Sequence, residues 1–225
     1  MNRIPEPELM EDPEQACAYA NADFSEPHSN FIKLFRESFP GHAIAGNAID
    51  LGCGPGDVAI RFARAFPDCE VHGVDGSPAM LEAGKTLLER APEIRQRVQL
   101  IAGMLPEAAM PLAQYEIVIS NSLLHQLHEP QTLWKSVLKY AAPGAAVFIM
   151  DLRRPPTIGE AKRLRDTYAG NEPALLQRDY YNSLLAAFEP GEITEQLIAA
   201  NLGQLVVRPI GDRHVTVFGC MPGLP

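Results

Sequence analysis

Ile49-Asp50-Leu51-Gly52-Cys53-Gly54-Pro55-Gly56-Asp57 decides how this chain is read. An apolar strand ends in a loop with glycine at every second position, and Val58-Ala59-Ile60-Arg61-Phe62-Ala63-Arg64 then has helical character. Glycine tolerates positive φ and leaves bare backbone for a ligand to lie against. The amide N–H groups that open the next helix have no partner inside it and would face that ligand. The G-x-G-x-G spacing is one residue tighter than the dinucleotide fingerprint G-x-G-x-x-G, so a hydride-transfer cofactor is not the first expectation. The next strand, Glu70-Val71-His72-Gly73-Val74, ends at Asp75, where an acidic side chain can accept both hydroxyls of a ribose. Strand, glycine loop, helix, strand and acid describe a nucleoside-binding half-fold.

Outward from that stretch the chain alternates. Strands are predicted over 47–51, 70–74, 98–102, 115–120 and 145–151, and helices over 57–66, 78–91 and 130–141. Ser77-Pro78 suits a helix start, with serine as cap and proline in the first turn. Such alternation predicts an α/β fold with a doubly wound, mostly parallel sheet and helices on both faces. Ahead of it, 14–24 and 30–38 show helical spacing, with Ser29 as N-cap of the second and Pro40-Gly41 as its stop. Beyond Asp151, residues 155–187 read as two helices divided near Gly170-Asn171-Glu172-Pro173. A helix over 190–201 then leads to strands at 204–209 and 214–219. The short Gly211-Asp212 link makes that last pair an antiparallel hairpin.

A chain of 225 residues with 46% hydrophobic and 21% charged content suits one domain with a full core. Its 19 basic and 28 acidic residues leave a net charge of -9, which argues against nucleic acid as a partner and for a small molecule. Cys17, Cys53, Cys69 and Cys220 are scattered without a C-x-x-C pair, so neither a zinc site nor a disulfide framework is expected. Met1 to Glu14 is acidic and proline-rich, unlike a signal peptide, and no apolar run has the length of a membrane span. The expected location is cytoplasmic.

On Ile49 to Asp57, Val71 to Leu81, Tyr115 to Leu127 and Ala142-Pro143-Gly144, the chain resembles the class I S-adenosylmethionine (SAM)-dependent methyltransferases of the small-molecule type. The resemblance implies a seven-stranded sheet whose final strand is reversed. It also implies a single domain over 1–225, made of N-terminal cap helices (1–46), a cofactor-binding core (47–151), a helical lid insertion (152–188), and a C-terminal helix with the hairpin (189–225). SAM would be the methyl donor and S-adenosylhomocysteine (SAH) the product. Gly52, Cys53, Gly54 and Gly56 would line the cofactor, Asp50 would face its ammonium group, and Asp75 its ribose. Gly76, Ser77 and Met80 would border the adenine. The family often places an acid after the third strand, whereas this chain has Gly103-Met104-Leu105, so only backbone there would meet the adenine edge. Asn121 and Ser122 would line the cofactor, and Tyr19 would close over it.

The turn Asn121-Ser122-Leu123-Leu124-His125 lacks the Asn-Pro-Pro-aromatic signature of enzymes that methylate adenine or glutamine amino groups. His125 would project toward the acceptor as general base, or sit hydrogen-bonded and only position ligand. Arg153 and Arg154 could fork onto a substrate carboxylate or phosphate, or form a salt bridge to Asp151 or to nearby helices. Of Tyr180 and Tyr181, adjacent on one helix, one would reach the pocket and one would pack. Two rival readings remain: a non-catalytic SAM-binding sensor or complex subunit, and a NAD-type oxidoreductase on a related fold. The edge of the final hairpin leaves a homodimer open.

Overall fold

The computed structural model describes residues 1–9, 12–22 and 24–223. Its centre is a seven-stranded sheet: β1 (Gly46–Leu51), β2 (Cys69–Asp75), β3 (Val98–Ala102), β4 (Tyr115–Asn121), β5 (Ala141–Leu152), β6 (Val206–Ile210) and β7 (His214–Cys220). The strand order is β3-β2-β1-β4-β5-β7-β6. β3, β2, β1, β4 and β5 run parallel, and β7 enters antiparallel between β5 and β6. The order reverses at β1 and β4, which places a crevice outside their carboxyl ends where open α/β sheets bind ligands.

Alternation along the strands supplies two cores. Ile49, Leu51, Val118, Val147 and Ile149 face one side. There they meet Leu133, Trp134 and Val137 of α5 (Gln131–Tyr140) and Ile193 and Leu197 of α8 (Pro190–Ala199). Ala48, Ile117, Ile119 and Phe148 face the other side. Their partners are Phe31 and Phe35 of α2 (Ser25–Ser38) and Ala59, Phe62 and Ala63 of α3 (Asp57–Ala65). A strand's period of two assigns neighbours to opposite faces, so one stretch of sequence fills both cores.

The remaining helices are α1 (Pro13–Asn21), α4 (Pro78–Glu89), α6 (Ile158–Tyr168) and α7 (Ala174–Ala186). Ser77 caps α4 by accepting from the Met80 amide at 3.2 Å. Several boundaries differ from the sequence expectation. α2 begins at Ser25 rather than Asn30, so Ser29 lies inside the helix and is not its cap. Burial of His28 one turn before Phe31 and Ile32 extends the packed face backwards. β5 begins at Ala141 rather than Ala145, because Ala141 pairs with Tyr115 across a register shift and Gly144 turns at φ 79. The helix expected over 14–24 ends at Asn21, and Asp23 lies outside the described residues. Among the described residues no helix is long and apolar enough to cross a membrane.

Candidate active site

Two cavities open side by side over the carboxyl ends of β1, β2, β4 and β5. The first, of about 230 Å³, takes its floor from the glycine loop: Asp50, Gly52, Cys53 and Gly54 line it, with Asp75 and Gly76 from the end of β2. Ser77, Met80, Gly103, Met104 and Leu105 line one end, and Asn121 and Ser122 the end nearer β4. Tyr19 of α1 contributes to its wall. The residues that the sequence reading assigned to the cofactor line this cavity except for Gly56, where a Cβ would instead come 2.8 Å from a Leu100 methyl.

Local geometry explains the glycines. Gly54 has φ 54 and a Cβ there would meet nothing within 4 Å, so the loop presents bare backbone to open space. At Gly52, φ 66, a Cβ would come 2.6 Å from a Leu123 methyl. Asp75 holds the loop in shape: its carboxylate accepts from the Gly54 amide at 2.8 Å and the Ser77 amide at 2.8 Å. Burial pushes its pKa up, and those two amide bonds oppose the shift. Asp50 is different. It is 1% exposed, and neither carboxylate oxygen has a hydrogen-bond partner. Burial, then the charge of Asp75, holds its carboxyl well above the usual range. A buried carboxylate left unpaired costs free energy that a cationic ligand group would recover. The Cys53 thiol is buried and its pKa is likewise pushed well up, so it is no thiolate nucleophile.

The second cavity, of about 290 Å³, shares Tyr19, His28, Asn121 and Ser122 with the first and extends under α6 and α7. His125 lines it while being only 3% exposed. Its Nδ1–H donates to Asp151 Oδ1 at 2.6 Å, and Nε2 lies 3.4 Å from Glu6 Oε1. Asp151 is itself fixed by the amides of Leu124 and Leu152, each at 2.7 Å. Burial alone would lower the imidazole pKa, but Asp151, by charge and hydrogen bond, and then Glu6 raise it. Glu6 also accepts from Ser183 Oγ at 2.9 Å, and burial pushes its own pKa up. His214, on the same cavity, is pushed down to about 4 by burial and by Arg213, so its ring is neutral near pH 7.

The N-terminal arm closes this region. Arg3 donates to the carbonyls of Ala186 (2.5 Å), His125 (2.8 Å) and Leu127 (2.9 Å), and its guanidinium lies 4.0 Å over the Phe188 ring. Glu8 accepts from the His128 amide at 2.6 Å, and Glu8 and Leu9 reach the first cavity. On the far wall, His28 of α2 bonds Asp57 Oδ2 through Nδ1 at 2.5 Å, and Arg61 donates to the same oxygen at 2.7 Å.

The expectation for the paired arginines needs correction. Arg153 and Arg154 line neither cavity. Arg153 donates to the carbonyls of Gly211 and Asp212, and Arg154 is buried against Glu189, Glu192 and the Ala187 carbonyl. Of the pairing alternatives, the one with Asp151 is not formed, since His125 and two amides occupy that carboxylate, whereas the salt bridge to a nearby helix is the one Arg154 makes at the start of α8. Tyr180 lines the second cavity whereas Tyr181 packs under Arg165, 5.8 Å away. The sequence reading missed Glu6, His28 and Arg213, and missed Asp151 as the partner of His125. Asp151 had a legible signal, being an acid at a strand's carboxyl end like Asp50 and Asp75. The others had none.

Residues 49–147 match the family model described as a methyltransferase domain. The matched segment, somewhat under half of the chain, is similar to a methyltransferase domain. It carries the whole glycine loop, the Asp75 strand end and the Asn121–His125 turn. Over 127 residues the chain is 34% identical to a trans-aconitate 2-methyltransferase of Methylobacterium radiotolerans, covering 56% of this chain and 45% of that protein. Over 130 residues it is 28% identical to a malonyl-[acyl-carrier protein] O-methyltransferase of Priestia megaterium, covering 58% and 44%. The chain thus spans less than half the length of these relatives. Beyond the matched segment, likeness is carried by fold. A SAM-dependent methyltransferase from Aquifex aeolicus superposes with TM-score 0.67 at 14% identity, covering 93% of this chain and 98% of the other. The plantazolicin methyltransferase BpumL, in complex with a desmethyl substrate analogue and SAH, gives 0.69 at 13%, covering 94% and 92%. The architecture is that of the class I SAM-dependent methyltransferases.

Proposed function

We propose that this protein transfers the methyl group of SAM to a small-molecule nucleophile bound in the second cavity, releasing SAH. The observation that carries the reading is the buried Asp50 carboxylate, unpartnered at both oxygens, on the wall of a glycine-lined cavity that adjoins a second one. Asp50 suits the ammonium of the methionine part, directly or through water. Asp75, already aligned by two amides, suits the ribose hydroxyls, and the Gly52–Gly56 backbone leaves room for the sugar and methionine chain. SAM supplies an activated sulfonium methyl, so the protein's task is to align the acceptor and exclude water.

His125 is the residue placed to align it. With a carboxylate on Nδ1 and another near Nε2, its ring is stabilised as a donor in this structure, which favours positioning the acceptor over abstracting a proton. The sharing of Tyr19, His28, Asn121 and Ser122 by both cavities supports an enzyme over a binding-only sensor, because donor and acceptor spaces meet there. α6 and α7 would serve as the lid. Trans-aconitate, named for the relatives, is a rational first acceptor to try.

Calorimetric titration with SAM and SAH tests the reading. Micromolar binding is expected, weakened about tenfold or more in Asp75→Ala by loss of hydrogen bonds to a charged group. Binding of NAD(H) with no binding of either SAM or SAH would overturn it.

A further inference from the structure

The second cavity has one guanidinium. Among the described residues that line it, Arg213 is the sole lysine or arginine. Its side chain is 13% exposed. The guanidinium carbon stands 3.5 Å above the Tyr168 ring centre, and that ring is held by its hydroxyl, which donates to Asp212 Oδ1 at 2.9 Å. Asp212 is in turn held by Arg163 at 2.9 Å. The Arg213 backbone carbonyl accepts from the Arg153 amide at 2.8 Å, so both ends of the residue are fixed. Beside it the Tyr180 hydroxyl is buried with no hydrogen-bond partner. Its pKa is raised by burial, with Arg213 opposing.

Among the described residues this fixed cation makes one well-formed hydrogen bond, from Nη2 to Glu26 Oε2 at 3.1 Å, with the Tyr180 hydroxyl beside it. Glu26 is 77% exposed, and an ion pair held by so exposed a carboxylate is weak. It leaves most of the fork of N–H donors free for a ligand that enters the cavity. A planar fork matches a carboxylate in two parallel hydrogen bonds. Phosphate fits less well, because its second charge finds no further lysine or arginine, and Glu172 and Asp179 stand in the same wall. At Asp179 an ammonium group would compete with donors already in place, Gln15 at 2.7 Å and Arg178 at 2.9 Å.

We propose that Arg213, stacked on Tyr168 and beside the Tyr180 hydroxyl, is the carboxylate anchor of the second cavity, and that the methyl acceptor is a small organic acid. The proposal rests on the reading of this cavity as the acceptor site. His125 would then meet the part of the acid nearer the cofactor, while Arg213 sets its register and selects it over neutral analogues.

The experiment titrates SAH-loaded protein with succinate, phenylacetate and 4-hydroxybenzoate, with their neutral amides, and with phenethylamine. At least one carboxylate is expected to bind more tightly than its amide. Arg213→Gln should weaken that carboxylate about tenfold or more while leaving SAH and amide affinities within about twofold. Glu26→Gln, an exposed change that removes the competing carboxylate, should tighten it. Equal binding of acid and amide, preference for the amine, no binding by any carboxylate to SAH-loaded protein, or an equal loss of acid and amide in Arg213→Gln overturns the proposal. Failure of SAH itself to bind would instead overturn the wider methyltransferase reading.

Discussion

Asp50 is costly to the empty fold, and on the proposed reading the same residue would favour the loaded one. Its folded pKa lies well above that of an exposed aspartate, so the stability linked to its protonation is fully present below about pH 4 and is lost as pH rises through the raised value. The cofactor-free protein is therefore expected to lose stability over that window, and saturating SAH should abolish the loss. In Asp50→Asn the cofactor-free melting temperature should rise at pH 7 while SAM affinity falls about tenfold or more. Calorimetry of both forms checks this, and a variant that binds SAM as wild type removes the ammonium assignment. His125 offers a second test. Nuclear magnetic resonance titration of its ring should give a pKa above 6.5, falling in Glu6→Gln as a nearby negative charge is removed. An unchanged value would mean that Glu6 does not sense the ring. At this scale the sequence was readable where a residue's role follows from its place on an element. Asp50, Asp75 and the glycines are strand-end and loop residues, whereas the partner of His125 stands 26 residues away and was not read.

Among the elements, α5 shows how a helix is committed by its buried side. Trp134 is fully buried, and its Nε1–H donates to Gln196 Oε1 of α8 at 3.0 Å, which ties the two helices of that face together. Trp134→Ala should cost about 3–5 kcal/mol by lost burial and the cavity left behind, read as a lower denaturant midpoint with cofactor contacts untouched. A change below about 1 kcal/mol would show that this face collapses around the gap. The sequence reading of Trp134 as packing was sufficient here because helical spacing reports burial directly. Boundaries were less legible. α2 starts a turn earlier than its apolar spacing suggests, since the residue that extends its buried face is His28, polar by composition and buried only because Asp57 of α3 accepts its hydrogen bond.

For the whole molecule, the N-terminal arm is the piece that joins the 125–128 turn beside the glycine-loop cavity to α7. Arg3 reaches carbonyls at His125, Leu127 and Ala186, the first of them 122 residues distant in sequence. Arg3→Ala removes three hydrogen bonds and the Phe188 stack together, with an expected destabilisation of about 1–3 kcal/mol. Amide exchange should quicken at the end of α7 and at the 125–128 turn, and SAM affinity should change little because Arg3 lines neither cavity. Exchange unchanged at both places would mean that the arm is not holding them.

The α/β architecture, the strand-and-helix alternation, the reversed last strand and the gathering of Asp50, Asp75 and the glycines at one cavity were all determined by the sequence itself. Each depends on spacing within one or two elements: period two in strands, helical spacing in between, glycine where backbone must be bare. The tertiary structure alone decided which arginine faces the second cavity, which carboxylates hold His125, and which of two tyrosines enters. Arg153, Arg154 and Arg213 are equally charged in the sequence. Arg153 bonds the 211–212 turn, Arg154 is taken by Glu189 and Glu192, and Arg213 follows that turn onto β7, stacked on Tyr168 and paired among the described residues with the exposed Glu26. Those outcomes depend on contacts between segments far apart along the chain, and such contacts exist only once the sheet has closed and the helices have packed.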